Sequence, residues 1–222
     1  MGLTKVKSIF SVWKGRVIPR KTVPWQDHWT ARTYMIAANL RWLGPKSMIL
    51  VGDSNLEMIP PHAFEGLSVI NAGFGGATAE NVHASIKSPL VLASLKENPP
   101  SKAIIQVGTN DSRTGADVAA VADRAILISS LFRDIGTETV IFAVPPIEEA
   151  KTAFRSEAVA VAINEAIRVA SHRAGVPFID PYISLRGSND VTEDGIHLAR
   201  HAITTLVAAI RAAQQVPRNV TV

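Results

Sequence analysis

Apolar residues form five short runs along this chain, separated by longer stretches in which apolar positions recur with helical spacing. The runs are rich in Val and Ile and cover residues 47–51, 67–70, 103–107, 139–144 and 176–179. Helical spacing extends over about residues 79–95 (with an interruption near Pro89), over about 116–135, over a stretch ending near 174, and over about 197–213. This alternation predicts one parallel sheet with helices on both faces.

Polar and glycine-rich motifs follow several of these predicted strands. They are GDS at residues 52–54, NAGFGG at 71–76, GTND at 108–111 and, after a loop beyond the fifth strand, DGIH at 194–197. Ligands of open parallel sheets bind beyond the carboxyl ends of the strands. The four motifs are therefore expected to meet at one edge of the sheet.

Three residues in these motifs have the chemistry of a nucleophilic site. Ser54 ends an apolar strand, and Asp194 and His197 stand three residues apart in one loop. A carboxylate can fix the tautomer of an imidazole, which then deprotonates a serine hydroxyl. Ser54 and Asp194 could instead be residues that cap a helix, and neither motif alone distinguishes capping from catalysis.

Acyl transfer also requires donors for the oxyanion that develops on the substrate. The candidates are the backbone N–H groups of Ser54 and Gly73 and the side-chain amide of Asn110. A tight turn or a phosphate-binding loop is the alternative for the glycines, although the spacing fits neither GxGxxG nor a P-loop. An Asx turn is the alternative for Asn110.

In this order and spacing the motifs resemble those of the SGNH (GDSL-type) hydrolases. The matching segments are VGDSNLE at residues 51–57, NAGFGGAT at 71–78, VGTND at 107–111 and DGIH at 194–197. The chain departs from the family pattern in having Asn55 where the family's older name expects leucine. The resemblance implies a three-layer α/β/α sandwich with a five-stranded, flavodoxin-like parallel sheet.

The same resemblance implies a serine esterase with Ser54, His197 and Asp194 as its triad, and with Ser54, Gly73 and Asn110 as its oxyanion hole. No cofactor or metal is implied, and the expected partner is a small-molecule ester. Short loops at 108–116 and 145–153 favour short acyl or acetyl groups. A lysophospholipase or thioesterase, or a membrane- or partner-binding module with an idle site, are the alternatives.

The first 46 residues differ in composition from the rest. They contain all four tryptophans and nine Lys and Arg against the single acid Asp27, whereas residues 47–222 carry a net charge of −4. We therefore separate an N-terminal extension, residues 1–46, from a hydrolase domain, residues 47–222. One helical stripe is formed by Trp25, Trp29, Ile36, Leu40 and Leu43. Such a stripe favours packing of the helix on the hydrolase domain over contact with a membrane. Trp42 lies off the stripe and still supports membrane contact as the alternative.

Several other features narrow the function. The acidic body argues against a nucleic-acid-binding face, and the absence of cysteine excludes disulfides and thiolate sites. There is no apolar run of membrane-spanning length and no ordinary signal peptide, so a cytoplasmic protein is expected. His197 and His201 are spaced as a pair of metal ligands on one helix face, but the triad accounts better for His197. Glu148 and Glu149 are interpreted as part of a solvated loop.

Overall fold

A computed structural model describes residues 24–215. For residues 24–26 it describes the backbone and not the side chains. Its helices are α1 Pro24–Leu43, α2 Ser54–Glu57, α3 Ala79–Ile86, α4 Pro89–Glu97, α5 Val118–Arg133, α6 Glu157–Ala174 and α7 Arg200–Gln215. Its strands are β1 Met48–Gly52, β2 Val69–Gly73, β3 Lys102–Gln106, β4 Glu138–Phe142 and β5 Phe178–Ile179. Short 3-10 helices lie at Gly44–Lys46, Pro61–Phe64 and Glu149–Lys151.

The five strands form one parallel sheet in the order β2-β1-β3-β4-β5, which confirms the predicted fold. The chain leaves β1 toward β2 and then returns to place β3 on the other side of β1. This reversal opens a crevice beyond the ends of β1 and β3. Gly52 is in register with Gly73 on one side and with Gln106 on the other, so the three strands end level.

Alternate strand residues build the core on the two faces of the sheet. Ile49 and Val51 of β1 pack on one face with side chains of α1, α3, α4, α5 and α6. Met48 and Leu50 pack on the other face with α2 and α7. The result is the three-layer sandwich that the motif resemblance implied.

Two local breaks follow from proline. The stretch predicted near residues 79–95 divides into α3 and α4, since the chain is interrupted just before Pro89. The last strand is shorter than predicted, because only Phe178 and Ile179 pair with β4. Pro177 precedes them, and proline has no N–H to donate to a ladder.

Helix α1 packs on the main domain and shares its core. Ile36 and Leu40 are fully buried, and the half-buried Trp29 packs against the same cluster. The predicted stripe is wrong for Leu43, which is the last residue of the helix and is 40% exposed. The side chain of Trp25, like all of residues 1–23, lies outside the described part. Within residues 24–215 no helix has the length and apolarity to cross a bilayer.

Candidate active site

The nucleophile candidate Ser54 is the first residue of α2, directly after β1. Asp53 caps this helix through Oδ1, which accepts the amide hydrogen of Asn55 at 3.0 Å. The turn requires Gly52, because a Cβ at that position would lie 2.1 Å from the Gln106 carbonyl oxygen. Ser54 itself is half-buried, and its N–H has no acceptor among residues 24–215.

The structure brings Ser54, His197 and Asp194 into one hydrogen-bonded chain. His197 Nε2 lies 3.0 Å from Ser54 Oγ, and His197 Nδ1 lies 2.7 Å from Asp194 Oδ2. The other carboxylate oxygen of Asp194 accepts the amides of Ile196 and His197, at 3.1 and 2.9 Å. Partial burial opposes ionisation of Asp194, but these hydrogen bonds outweigh it and lower its pKa. The arrangement is that of a serine with an oriented base.

Asn55 clamps the loop that carries the histidine. Its side chain is buried, donating from Nδ2 to the carbonyl oxygen of Ile196 at 3.1 Å and accepting the amide of Leu198 at 3.0 Å. These two backbone groups flank His197 on either side. The residue that departs from the family pattern therefore fixes the backbone around the base.

Glu148 braces the same loop from the other side. Its carboxylate accepts the hydroxyl and the amide of Thr192, the latter at 2.6 Å, and the amide of Asp190 at 2.7 Å. Lys151 pairs with it at 3.2 Å. Partial burial opposes ionisation, but these partners together lower the pKa of Glu148 to about 2. The interpretation of Glu148 as merely solvated is wrong, since only 13% of its side chain is exposed.

The structure turns the Gly73 amide away from β1, and this argues against its predicted role as an oxyanion donor. Phe74 N–H donates to Gly52 O at 2.9 Å, and successive amides of a strand point in opposite directions. Gly73 N–H therefore points outward from the edge strand, where it donates to Asn71 Oδ1 at 2.9 Å. The amide is committed to the loop itself.

Gly76 is the amide in this loop that the sequence reasoning missed. The neighbouring amides already donate hydrogen bonds. The Gly75 amide donates to the Glu57 carboxylate, the Ala77 amide to Phe74 O, and the Thr78 amide to Asn81 Oδ1. Gly76 N–H has no acceptor among residues 24–215, and its φ of +72° is a conformation that favours glycine. A sequence motif does not reveal which of several glycine amides remains free.

Asn110 is buried in the first part of the loop between β3 and α5. Its Nδ2 donates one hydrogen to Ala77 O at 3.0 Å, next to Gly76, and has a second hydrogen available. Arg155 donates to Asn110 Oδ1 at 3.0 Å and to Thr109 O at 3.1 Å. These bonds fix which side of the amide carries the donor, so Arg155 orients Asn110.

Helix α1 supports the glycine-rich loop from behind. Arg32 donates to the outward carbonyl oxygens of Gly73 and Asn71 at 2.9 and 2.7 Å, which covers the open edge of β2. Trp29 Nε1 donates to Gly75 O at 2.8 Å. Glu57 accepts from His28 at 2.7 Å and from the Gly75 amide, so α1 and α2 are joined at this loop.

A cavity of about 360 Å³ lies beside the site between α3 and α5, lined by Asp111 and Arg113 among others. Neither Ser54 nor His197 lines it, so we do not assign it to the reaction. Asp111 braces the neighbouring loop by accepting the Ala79 amide at 2.9 Å. Within the described residues, no group of three or more His, Asp and Glu could hold a metal ion, and His201 is exposed.

Comparisons with known proteins agree with this fold. The model of the GDSL-like lipase/acylhydrolase family matches residues 54–201. A comparison with curated protein sequences finds no significant match.

Solved structures with the same fold include a GDSL-like lipase from Bacteroides thetaiotaomicron, with 19% identity and a TM-score of 0.66 over 84% of this chain and 98% of that one. A lipase/acylhydrolase from Enterococcus faecalis has 18% identity and a TM-score of 0.63 over 76% and 95%. A carbohydrate acetylesterase from Sinorhizobium meliloti has 15% identity and a TM-score of 0.60 over 76% of this chain and 97% of that one. With the family model covering most of the chain, this protein belongs to the GDSL-like lipase/acylhydrolase family and is an ester-hydrolysing enzyme.

Proposed function

We propose that this protein is a serine esterase that cleaves short acyl esters through a covalent acyl-enzyme. The observation that carries the proposal is the hydrogen-bond chain from Asp194 Oδ2 to His197 Nδ1, at 2.7 Å, and from His197 Nε2 to Ser54 Oγ, at 3.0 Å. Such a chain has a base within reach of the proton it removes and a carboxylate that orients the base.

In the acylation half of this mechanism, Ser54 Oγ attacks the ester carbonyl carbon as His197 Nε2 takes its proton. The carbonyl electron pair moves to oxygen, and Asp194 stabilises the imidazolium that has formed. When the tetrahedral intermediate collapses, the bond to the leaving alkoxide breaks and His197 returns the proton to it. The acid is now esterified to Ser54.

Deacylation repeats these steps with water as the nucleophile. His197 removes a proton from the water molecule, which attacks the acyl carbon. Collapse of the second intermediate breaks the bond to Ser54 Oγ, and His197 protonates that oxygen. The products are a carboxylic acid and free enzyme, and His197 handles the proton in each step.

We assign the oxyanion donors to Ser54 N–H, Gly76 N–H and Asn110 Nδ2, with Gly76 in place of Gly73. The hydrogen bonds of the loop support this assignment. The Gly76 amide has no acceptor within the described part of the chain, whereas the Gly73 amide donates to Asn71 Oδ1. Contact of Asn110 Nδ2 with Ala77 O puts this side chain beside Gly76. Donors already aimed at a developing charge need no reorganisation during the reaction.

The openness of the site favours short acyl groups. The Asp194 side chain is 54% exposed and that of His197 27%, so the reacting groups are accessible from solvent. A long acyl chain requires an apolar channel that excludes water, and Ser54 does not line the adjacent cavity. The likeness to a carbohydrate acetylesterase makes acetyl esters the first class to test.

The test is hydrolysis of 4-nitrophenyl esters with acyl chains of increasing length. We expect kcat/KM to be highest for acetate or propionate and to fall with longer chains. Ser54→Ala should abolish turnover while Ser188→Ala, which removes an exposed hydroxyl elsewhere, should not, and a serine-directed phosphonate should label Ser54 alone.

Retained hydrolysis in a folded Ser54→Ala protein would refute the mechanism. A rate that rises toward dodecanoyl esters would instead assign the enzyme to long-chain acyl hydrolysis.

A further inference from the structure

Helix α1 carries apolar side chains on its buried inner face and also on its exposed outer face. The inner face holds the buried Ile36 and Leu40. Tyr34, Met35 and Trp42 on the outer face are 64%, 54% and 88% exposed. A continuous exposed apolar patch on a folded protein marks an interaction surface, so the outer face calls for a partner.

The exposed side chains form one continuous stripe. We define the outer stripe of α1 as Ala31, Tyr34, Met35, Ala38 and Trp42. These positions follow the spacing of neighbours on one side of a helix and extend about 16 Å along its axis. Of the nine large apolar residues exposed in the described part of the chain, four lie in α1, the fourth being Leu43.

The charge around the stripe is positive. Exposed Arg41 and Lys46 stand beside Trp42 at the carboxyl end of the helix, and Asp27 is the only acid in the first 46 residues. The 23 residues before α1 add six more cations and no acid: Lys5, Lys7, Lys14, Arg16, Arg20 and Lys21. A surface that pairs with this region must therefore be anionic.

An anionic lipid surface fits these features better than a protein does. Tyr and Trp are amphipathic side chains that favour the interface between headgroups and acyl chains. The stripe offers five residues along one helix, whereas a stable protein interface uses roughly 20–30 residues a side. Clustered Lys and Arg beside such a helix are attracted to anionic headgroups.

We propose that the outer stripe of α1, with Arg41 and Lys46 beside it, docks the enzyme on anionic lipid surfaces. The helix would lie in the plane of the interface with its inner face still packed on the sheet. This inference does not depend on which ester the enzyme hydrolyses. Packing on the body and membrane contact are then properties of opposite faces of the same helix.

The experiment is co-sedimentation of the full chain with vesicles of phosphatidylcholine alone and with vesicles containing about 30% phosphatidylglycerol. We expect binding to the anionic vesicles, weak binding to the neutral ones, and loss of binding as sodium chloride is raised to about 0.5 M, because salt screens exposed charges. Equal binding to both compositions, or none to either, would overturn the proposal.

Two variants separate the stripe from general apolar exposure. The triple variant Tyr34→Ser/Met35→Ser/Trp42→Ser should lower the partition coefficient at least about tenfold, since apolar burial drives interfacial binding. The matched control Leu127→Ser/Val161→Ser/Ile183→Ser removes exposed apolar groups elsewhere and should bind as the wild type does. Both should keep the wild-type melting temperature and esterase rate in vesicle-free buffer.

Tryptophan emission gives a readout that does not require the triple variant to fold. Anionic vesicles should shift the emission of the wild type to shorter wavelength, and Trp42→Phe should lose most of that shift. An unchanged shift in Trp42→Phe, or undiminished sedimentation of the folded triple variant, would overturn the proposal. So would a wild-type dimer that the triple variant dissociates, because the stripe would then be a contact between copies of this chain.

Discussion

The triad half of the candidate site rests on an acid–base pair formed within one turn of the chain, whereas the oxyanion half is assembled entirely from remote segments. Asp194 and His197 stand in a single turn and reach one residue, Ser54. On the other side, Asn110 follows β3 and is oriented by Arg155, which precedes α6. The glycine loop follows β2 and is held by α1 and by Glu57.

This difference decides what each half depends on. A carboxylate and an imidazole three residues apart find each other through one turn of backbone, so the contact survives changes elsewhere. Asn110 is a good donor only if its amide faces the substrate, and the backbone donors are free only if nothing else accepts from them. Removing any one residue of the triad half should therefore remove most of its contribution to kcat, whereas substitutions in the oxyanion half should lower kcat by different, smaller amounts.

The largest effect is expected in the triad half. His197→Ala should lower kcat by roughly 10⁴–10⁶-fold, and Asp194→Asn by roughly 10⁴-fold, because the imidazole loses its orienting partner. Residues that act as a unit are not additive, so adding Asp194→Asn to His197→Ala should cost less than about tenfold more. Steady-state kinetics on 4-nitrophenyl acetate measures both. Fully additive losses would show that Asp194 acts apart from His197.

The next largest effect concerns Asn110. An oxyanion donor stabilises charge present only near the transition state, so Asn110→Ala should reduce kcat by roughly 10²–10³-fold with KM nearly unchanged. Asn110→Asp should be at least as damaging, because it places negative charge where negative charge develops. A raised KM with intact kcat would instead make this residue a substrate contact.

Arg155 provides the control for that prediction. Arg155→Met removes the bonds to Asn110 Oδ1 and Thr109 O and should lower kcat less than loss of the donor itself, by about tenfold. If Arg155 acts through Asn110, the same substitution should have little effect on kcat in the Asn110→Ala background. An undiminished effect there would give Arg155 a role independent of the amide.

The sequence was sufficient for the parts of the site in which chemistry follows from residue type. Ser54, Asp194 and His197 could be named as candidates because their side-chain chemistry suits a nucleophilic site, and the structure does bring the three side chains into hydrogen-bonding contact. The sheet itself was predictable because buried parallel strands are nearly continuous runs of apolar residues. The parallel order of all five strands followed from the helices between them.

The backbone donors show where this reasoning stops. Gly73 and Gly76 are the same residue type three positions apart, and only the direction of the strand decides which amide is engaged. The role of Asn55 was not predicted, and Glu148 was misjudged, for a related reason, since the backbone partners of a polar side chain cannot be known from its residue type. Those partners, Ile196 and Leu198 for Asn55, lie about 140 residues away in the chain.

Asn55 tests whether the local half needs support from outside its loop. Asn55→Leu leaves the partly buried Ile196 O and the buried Leu198 N without their partner, and an unpaired buried group such as the Leu198 amide costs about 1–3 kcal/mol. We expect a lower melting temperature and a fall in kcat of about tenfold, with Asn55→Asp intermediate because it keeps the acceptor for Leu198 N. A wild-type kcat in a less stable Asn55→Leu protein would limit the residue to a structural role.

The smallest effect on turnover, and the most dependent on pH, is expected at Glu148. Its folded-state pKa of about 2 lies below the ordinary value of 4.5, so the ionised carboxylate stabilises the fold. That contribution is present above about pH 4.5 and is lost as the pH falls toward 2. Glu148→Gln removes it, so the variant should be less stable than the wild type at pH 7 and nearly as stable at pH 2.5.

Urea denaturation of both proteins between pH 7 and pH 2.5 measures this convergence, and kcat at pH 7 should change less than about threefold because Asp194 and Asn55 still hold His197. Comparison of the two proteins at each pH cancels the titration of other carboxylates, apart from Asp190, which shares the Lys151 partner. A stability difference that stays constant over this range would mean that Glu148 acts through hydrogen bonds that glutamine does not make and that do not depend on its charge. Ionisation would then play no part in holding the triad loop.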